Sequence, residues 1–200
     1  MTGDRGTPSA GARDAADDAT ELTEAGAMGE ERVVLVDPDD VETGTLEKMM
    51  AHREGALHRA FSVFVFDAAG RMLLQRRAAA KYHSGGLWSN TCCSHPRPGE
   101  DVAAAAARRL REEMGFACPL RPAFTFVYRA DVGGGLTEHE YDHVLVGRFD
   151  GEPVPNPDEV EAWRWTDPAQ VAREVEETPD AFTFWFRVVF REAQAHGIGV

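Results

Sequence analysis

The chain has 200 residues and a formal net charge of −13 at pH 7, from 34 acidic side chains against 21 lysines and arginines. This length suits one domain with a substantial core. The acidic excess argues against nucleic acid as a partner, because no basic face is available to neutralise phosphates. A small anionic ligand stays compatible, since the local charge of a pocket can oppose the net charge.

The first 30 residues differ in composition from the rest of the chain. They hold seven acidic residues and two arginines, and Leu22 is their only large aliphatic side chain apart from methionine. Such a segment has too little apolar surface to fold, which predicts a disordered acidic leader over 1–30 and one folded domain over 31–200. A transit peptide would be basic and a secretory signal would need an apolar segment, so neither is expected.

Three further features bear on location and assembly. No apolar run reaches the length that crosses a bilayer, so we expect no membrane association. The three cysteines include the adjacent pair Cys92 and Cys93, which makes a poor disulfide framework and indicates a reducing cytoplasm. No coiled-coil pattern indicates assembly, and we therefore expect a monomer.

From residue 31 onwards, predicted strands and helices alternate. Runs of β-branched and aromatic residues predict strands over 33–36, 61–66, 72–75, 124–130, 143–149 and 163–165. The second and third of these enclose a short turn that ends at Gly70, which is typical of a β-hairpin. The glycine- and proline-broken segment 81–98 is predicted to be loop, with a short strand over 87–91.

Three helices complete the predicted elements. The clearest covers 100–114, where a run of alanines precedes charged residues and Gly115 supplies a C-terminal cap. A second begins at Asp167 and Pro168, and a third covers 182–195. A mixed sheet flanked by helices, an α/β fold, is the architecture that this order predicts.

The helix over 100–114 carries a charged face. Arg109, Glu112 and Glu113 have the i, i+3 and i+4 spacing that brings side chains together on a helix. Adjacent carboxylates suit Mg²⁺, which prefers oxygen ligands and often stays bound to phosphates. Taken alone, the face favours a solvated surface of Arg–Glu pairs over a metal site.

This helix and the loop before it hold acidic, basic, glycine and apolar residues in a fixed order, namely Glu100, Arg108, Leu110, Glu112, Glu113, Gly115 and Phe116. The order resembles the Nudix box, the element of the Nudix fold that binds metal and diphosphate. Ser94 stands where the first glycine of the box belongs, and Arg109 stands in place of a glutamate that helps hold metal in Nudix hydrolases. The replacement disfavours a hydrolase, and a planar multi-donor cation suits a phosphate.

Four ordered motifs extend the resemblance to a narrower family. They are Thr45-Leu46-Glu47-Lys48, Leu57-His58-Arg59-Ala60-Phe61-Ser62, Asn90-Thr91-Cys92-Cys93-Ser94-His95-Pro96, and Glu138 with Glu140. Together they resemble the type I isopentenyl-diphosphate isomerases, over about 31 to the C-terminus. The resemblance implies a Nudix-type α/β/α sandwich with a mixed sheet and an added N-terminal strand. The activity it implies is the interconversion of isopentenyl and dimethylallyl diphosphate.

That reaction explains the need for two proton-handling groups. An isolated alkene is a weak base, so a proton must be added to one carbon and another removed from the carbon nearer the oxygen. The resemblance implies Cys93 on one side of the substrate and Glu140 on the other, with Tyr128 assisting. Cys92 and His139 neighbour reactive residues on strands and are expected to point away. We assign no role to His83 or His143.

The resemblance also implies two metal ions. One divalent ion, Mn²⁺, Mg²⁺ or Zn²⁺ by donor type, would be held by His52, His58, His95, Glu138 and Glu140. It would acidify a proton on the carboxylate that it binds. The second, Mg²⁺, would bridge the diphosphate with Glu113 as its protein ligand.

The substrate itself needs cations and an apolar wall. The implied diphosphate-binding residues are Lys48, Arg77, Lys81 and Arg109. The implied partner of the transient carbocation is Trp185, because an indole face attracts a cation, although ordinary core packing would also explain this residue. A Nudix hydrolase of a nucleoside diphosphate-linked substrate and a non-catalytic phospholigand-binding module are the alternatives.

Overall fold

The computed structural model describes residues 1–2, 31–81 and 83–199. The expected acidic leader lies outside the described residues apart from its first two. In chain order the elements are β1 (Arg32–Val36), β2 (Glu42–Glu47), α1 (Lys48–Glu54), β3 (His58–Phe66), β4 (Met72–Arg77), β5 (Trp88–Ser89), β6 (Cys92–Ser94), α2 (Val102–Met114), β7 (Leu120–Gly133), β8 (Leu136–Arg148), β9 (Val160–Thr166), α3 (Pro168–Glu177) and α4 (Phe184–Ala195).

The strands form one mixed sheet around β3. This strand pairs in parallel with β8 along its whole length, from His58 opposite Glu140 to Phe66 opposite Arg148. It pairs antiparallel with β6 and contacts β1 near its start. On the far side, β4 pairs antiparallel with β9 and β5. The predicted mixed sheet is confirmed.

Apolar side chains cover both faces of the sheet. On one face, Phe186 and Phe190 of α4 pack against residues that include Val144. On the opposite face, Leu110 of α2 packs against residues that include Leu145. Because neighbours on a strand point to opposite faces, Val144 and Leu145 serve different layers. Full burial of each such side chain stabilises the fold by about 1.5–3 kcal/mol, and the predicted α/β/α sandwich is confirmed.

The helix α2 ends as the sequence predicts and begins two positions after the predicted start. The carboxylate of Asp101 accepts a hydrogen bond from the Ala104 backbone at 3.0 Å, which caps the first turn. Gly115 ends the helix with φ of 73°, a left-handed conformation that favours glycine. A Cβ at this position would also collide with the carbonyl oxygen of Val154. Both ends of α2 are therefore set by local residues.

Two predicted strands differ from the structure in ways that bear on function. The strand predicted over 143–149 begins seven positions earlier, at Leu136, and β7 is longer than 124–130 at both ends. The early part of β8 is polar, with Glu138, His139 and Glu140, so its composition hides the strand. Of the strand predicted over 87–91, only β5 (Trp88–Ser89) forms, and β6 is a separate strand that starts beyond the predicted range. Between them, the side chains of Asn90 and Thr91 donate to backbone carbonyl groups.

The predicted hairpin of 61–66 and 72–75 is present, with antiparallel pairing next to its turn, but its ladder is short. The turn closes between Asp67 and Gly70, but β3 and β4 pair only at Phe66 and Met72. Beyond that pair the strands diverge, since β3 takes β8 and β6 as neighbours.

The sequence predicted neither β2 nor α1. Strand β2 forms an antiparallel pair with β1, so the added N-terminal strand is one half of a hairpin. The short helix α1 follows directly. Glu47 caps it by accepting from the Met49 and Met50 backbones at 2.8 Å, and Gly55 ends it with φ of 61°. In the described part of the chain, no helix is both long enough and apolar enough to pass through a bilayer.

Candidate active site and metal centre

Three histidines from separate elements meet at the start of the central strand. His52 lies in α1, His58 begins β3, and His95 follows β6. Their ring centroids are 4.9, 4.9 and 5.7 Å apart. Glu140 of β8 joins them because it pairs with His58 in the parallel ladder. One ligand atom from each of the four residues lies within 4.8 Å of the others.

Backbone carbonyl groups orient two of the rings. Nδ1 of His52 lies 2.6 Å from the carbonyl oxygen of Lys48, and Nδ1 of His58 lies 2.8 Å from that of Ala56. Each Nδ1 can donate its proton to the carbonyl, which leaves Nε2 facing the centre of the cluster. Metal-binding histidines commonly have their other nitrogen fixed in this way.

The electrostatic surroundings of the three imidazoles differ. Burial lowers the pKa of His58 to about 4 and the pKa of His95 well below its ordinary value, so both are neutral at pH 7. Burial also lowers the pKa of His52, but the interaction with Glu138 outweighs this effect. Oε2 of Glu138 lies 3.3 Å from Nε2 of His52, and this hydrogen bond and charge raise the pKa of His52.

The cluster is compatible with a divalent metal ion. It offers three imidazole nitrogens and one carboxylate oxygen, with a second carboxylate, Glu138, beside His52. Neutral imidazole is the form that binds a metal. Nδ1 of His95 is buried and has no hydrogen-bond partner among the described residues. The Nε2 atoms of His58 and His95 are only 3.2 Å apart, so both can direct a lone pair at one ion.

The thiol of Cys93 is held by two polar neighbours. Its Sγ donates to Oδ1 of Asn90 at 2.8 Å and lies 3.5 Å from Oγ of Ser62. Asn90 is fully buried, and its Nδ2 donates to the carbonyl groups of Val63 and Cys92. Burial, with the charge of Asp142, raises the pKa of the Cys93 thiol. Cys93 therefore carries its proton at pH 7, in a fixed orientation.

Glu140 binds a phenol on one oxygen and an imidazole on the other. Tyr128 lies opposite Glu140 in the β7–β8 ladder and donates to Oε2 at 2.8 Å. Oε1 lies 3.0 Å from Nε2 of His95. Burial and the charges of Glu138 and Asp142 raise the pKa of Glu140 well above its ordinary value. A carboxyl in these surroundings holds a proton more readily than an isolated carboxyl does.

Cys93 and Glu140 lie on the same face of the sheet. Strand β3 separates their strands, with Ser62 opposite Cys93 and His58 opposite Glu140. Ser62 and His58 are four positions apart on β3, so they and their partners point the same way. Ser62 also donates to Oδ2 of Asp142 at 2.8 Å. A small ligand lying over β3 on this face would meet both the thiol and the carboxyl.

Lys48 and Arg77, two of the four predicted diphosphate-binding cations, each have separate neighbours. Lys48 is the first residue of α1, and its Nζ lies 3.1 Å from Oε2 of Glu31. Arg77 ends β4. Its guanidinium lies 5.0 Å from the ring centroid of Trp185 and donates to the carbonyl oxygen of His83 at 3.4 Å. The Trp185 indole donates to Ser89 at 3.1 Å, which fixes the ring.

The other two cations share acidic partners. Lys81 pairs with Glu159, and Arg109 of α2 contacts Glu112, Glu113 and Glu159 at 2.9, 2.6 and 3.3 Å. Nε of Arg109 is buried without a hydrogen-bond partner in the described ranges. The helix face thus carries Arg–Glu pairs, as the alternative interpretation of the sequence expected. The Nε donor of Arg109 takes no part in these pairs.

Comparisons with known proteins agree with this geometry. A family model described as NUDIX domain matches residues 56–186. The isopentenyl-diphosphate Delta-isomerase 1 of Aromatoleum aromaticum is 61% identical over 156 residues, which cover 78% of this chain and 88% of that protein. The isopentenyl-diphosphate Delta-isomerase of Burkholderia multivorans is 58% identical over 164 residues, which cover 82% of this chain and 93% of that protein. The chain belongs to the isopentenyl-diphosphate Delta-isomerase family.

Solved structures support the fold of this isomerase family member. A protein of Deinococcus radiodurans superposes with a TM-score of 0.68 at 21% identity, covering 81% of this chain and 98% of that one. The MutT protein of Methanosarcina mazei superposes with a TM-score of 0.58 at 15% identity, covering 70% and 95%. At such identities the likeness concerns the Nudix fold alone.

In this isomerase-family chain, the predicted site residues fall into two groups. His52, His58, His95 and Glu140 form the metal-compatible cluster, and Glu138, Cys93 and Tyr128 adjoin it. Glu113 lies apart from that cluster. Its carboxylate accepts from Nε2 of Gln75 at 3.0 Å and from Arg109.

Sequence reasoning missed several side chains that shape the site. Asp142 is the third acid at alternate positions after Glu138 and Glu140, a spacing that could have revealed it. Burial raises its pKa to about 7. Ser62 had no such signal, because its contact with Cys93 depends on which strands become neighbours.

The two histidines to which the sequence assigned no role, His83 and His143, have different surroundings. The His83 ring meets the edge of Trp185 with centroids 5.5 Å apart, and burial lowers its pKa to about 4. This residue therefore borders the site. His143 instead lies 3.0 Å from Oδ2 of Asp40, away from the cluster.

Proposed function

We propose that the chain interconverts isopentenyl diphosphate and dimethylallyl diphosphate by adding a proton to an alkene carbon and removing another proton from the allylic carbon nearer the oxygen. The observation that carries the proposal is a protonated thiol and a buried carboxyl on one sheet face, separated by β3. The reaction needs a donor and an acceptor on either side of a five-carbon olefin. The identity of the relatives supports the same assignment.

Cys93 acts on one side of the substrate in this proposal. Its raised pKa favours the thiol, which can give a proton and take it back. Asn90 and Ser62 hold the sulfur in a fixed position beside the proposed substrate site. Because the reaction is reversible, Cys93 serves as acid in one direction and as base in the other.

Glu140 and Tyr128 act on the opposite side. The hydrogen bond from Tyr128 leaves one carboxyl oxygen of Glu140 oriented and the other directed to the histidine cluster. His52, His58, His95, Glu138 and Glu140 would hold a divalent ion, Mn²⁺, Mg²⁺ or Zn²⁺. Such an ion supplies positive charge that makes the Glu140 carboxyl a stronger acid. Trp185 would face the transient positive charge on carbon, an interaction worth about 0.5–2 kcal/mol.

Lys48, Arg77, Lys81 and Arg109 bind the diphosphate in this scheme. Two of them, Arg77 and Arg109, have a buried Nε without a partner in the described part of the chain, which suits an incoming oxygen. Glu113 would hold the Mg²⁺ that accompanies a diphosphate, since Mg²⁺ takes one or two carboxylates together with phosphate oxygens. The substrate is thus a small organic diphosphate, handled by a monomer in the cytoplasm.

Proton NMR of isopentenyl diphosphate with the protein in heavy water tests the proposal. We expect the signals of dimethylallyl diphosphate to grow and deuterium to enter both isomers, because each direction adds a solvent-derived proton. Phosphate release without migration of the double bond would instead assign a Nudix hydrolase. Binding without any change in the substrate would assign a non-catalytic module.

A further inference from the structure

Two of the proposed diphosphate-binding cations meet at one carboxylate that the mechanism does not use. Oε2 of Glu159 pairs with Nζ of Lys81, and Oε1 lies 3.3 Å from Nη2 of Arg109. Lys81 lies in the loop after β4, whereas Arg109 lies in α2. Glu159 directly precedes β9 and so bridges side chains from two separate parts of the fold.

The backbone around Glu159 is fixed to both of these parts. Its carbonyl oxygen accepts from the Ala78 backbone at 2.9 Å, and Lys81 in turn donates to the carbonyl of Ala78 at 3.1 Å. On the other side, the Asn156 backbone donates to the carbonyl of Glu113 at 2.9 Å, and Glu159 donates to that of Asn156. The carboxylate is therefore held relative to the loop and to α2 alike.

The pairing leaves both cations able to bind a further anion. A lysine ammonium has three donors, and an arginine has five. Burial would raise the pKa of Glu159, but Lys81 and Arg109 lower it by more, so Glu159 is ionised at pH 7. One ionised carboxylate thus restrains two long, flexible side chains. Nε of Arg109 stays without a partner in the described residues.

We propose that Glu159 is a positioning residue that holds Lys81 and Arg109 in place for the diphosphate. The inference rests on the proposed function, since it assigns these cations to the substrate. Long side chains that are ordered only on binding reduce affinity. A carboxylate that orders them beforehand removes that loss, and it acts on substrate binding without touching the reacting carbons.

Glu161 provides a matched control two residues further on. It pairs with Arg76 and accepts from the Ala79 backbone at 3.2 Å. Arg76 is not one of the proposed diphosphate-binding cations, and its side chain is 44% exposed. Glu161→Gln removes a carboxylate charge from the same segment of chain by the same chemistry and leaves Lys81 and Arg109 paired with Glu159.

The test measures KM and kcat for isopentenyl diphosphate with the metal-loaded full chain. We expect Glu159→Gln to raise KM by on the order of fivefold to tenfold, with kcat changed less than about twofold. Glu161→Gln should leave both constants unchanged. In a Lys81→Met background the effect of Glu159→Gln should shrink, because one of its two partners is already gone.

Several outcomes would overturn the inference. An unchanged or lowered KM in Glu159→Gln would do so, as would a loss confined to kcat or an equal rise in Glu161→Gln. If Glu159→Gln does not fold, Glu159→Asp keeps the charge and shortens the reach by one methylene. It should still raise KM, and an unchanged KM there overturns the inference. Failure of the proposed function looks different, since the unmodified chain would then isomerise nothing.

Discussion

Two neighbouring cysteines in one strand have opposite surroundings. Cys92 is fully buried in the apolar layer under α2, where burial raises its pKa well above the ordinary value. Cys93 points to the other face, as strand alternation predicts, and contacts Asn90 and Ser62. Both residues are cysteines, so the face of the sheet on which each side chain lies sets the chemistry of its thiol.

We expect Cys93→Ala to fold normally and to lose turnover by about 10²–10⁴-fold, because the substitution removes a proton donor and little volume. The measurement is kcat for isomerisation, with circular dichroism to confirm folding. Cys118→Ala is the control, since Cys118 lies against Gly147 and packs on the apolar layer under α2. Near-normal turnover in Cys93→Ala would refute the role assigned to this thiol.

At the scale of elements, α2 shows how far local signals reach. Its alanine run and its end at Gly115 were predicted from the sequence and are confirmed, whereas the predicted start at residue 100 lies two positions before the first helical residue, Val102. The pairing of β3 with β8 was not legible, because it depends on a strand about 80 residues away whose first half is polar. Glu138 and Glu140 were recognised as functional because they resemble a family motif. Their strand was missed because these residues are polar and do not give the apolar pattern of a buried strand.

The short helix α1 illustrates a second limit. Its seven residues are too few to give a periodic pattern, and its cap is a glutamate, a residue less typical of caps than serine or aspartate. The helix nevertheless places His52 against Glu138 and fixes its ring through the Lys48 carbonyl. Helix prediction could therefore not place His52, although its motif had marked it as a candidate metal ligand.

The loop before α2 is tied to the helix by Arg108, whose Nε and Nη2 donate to Glu100 at 2.7 and 2.8 Å. These bonds lower the pKa of Glu100 from 4.5 to about 2. A folded-state pKa below the unfolded value stabilises the fold above pH 4.5, and this contribution is lost as the pH falls towards 2. We expect Glu100→Gln to reduce the free energy of unfolding by about 1 kcal/mol at pH 7.

Urea unfolding across the acidic range checks this expectation. The difference in unfolding free energy between the unmodified chain and Glu100→Gln should narrow as the pH falls from 7 to 3, since Glu100 of the unmodified chain then binds a proton in the unfolded state but not in the folded state. Glu152→Gln, at an exposed position, should show no such convergence. A difference that is constant with pH would show that the Arg108 pair does not contribute in the way described.

At the scale of the whole molecule, the histidine cluster joins α1, β3, the segment after β6, and β8. An ion bound there would stabilise the folded chain, because the unfolded chain has no such arrangement. We expect one divalent ion per chain, and His95→Ala to lose it. At a free ion concentration a thousandfold above Kd, the stabilisation is about 4 kcal/mol.

Elemental analysis and thermal unfolding with and without a chelator measure this effect. Chelation should lower the Tm of the unmodified chain and leave that of His95→Ala unchanged. His143→Ala is the control, because His143 pairs with Asp40 and should keep both the ion and the chelator response. A fully active preparation without metal would contradict the proposed centre.

The parallel ladder between β3 and β8 also has a consequence for how the protein is made. Ser62 and Asp142, joined by a hydrogen bond, are 80 positions apart in the chain. A ribosome that has completed β3 must add all of these residues before its partner strand emerges. Until then the edge of the central strand that pairs with β8 is open, and an open edge is prone to pair with other chains. Slow, long-range closure of this kind prolongs the exposure of the nascent chain to aggregation.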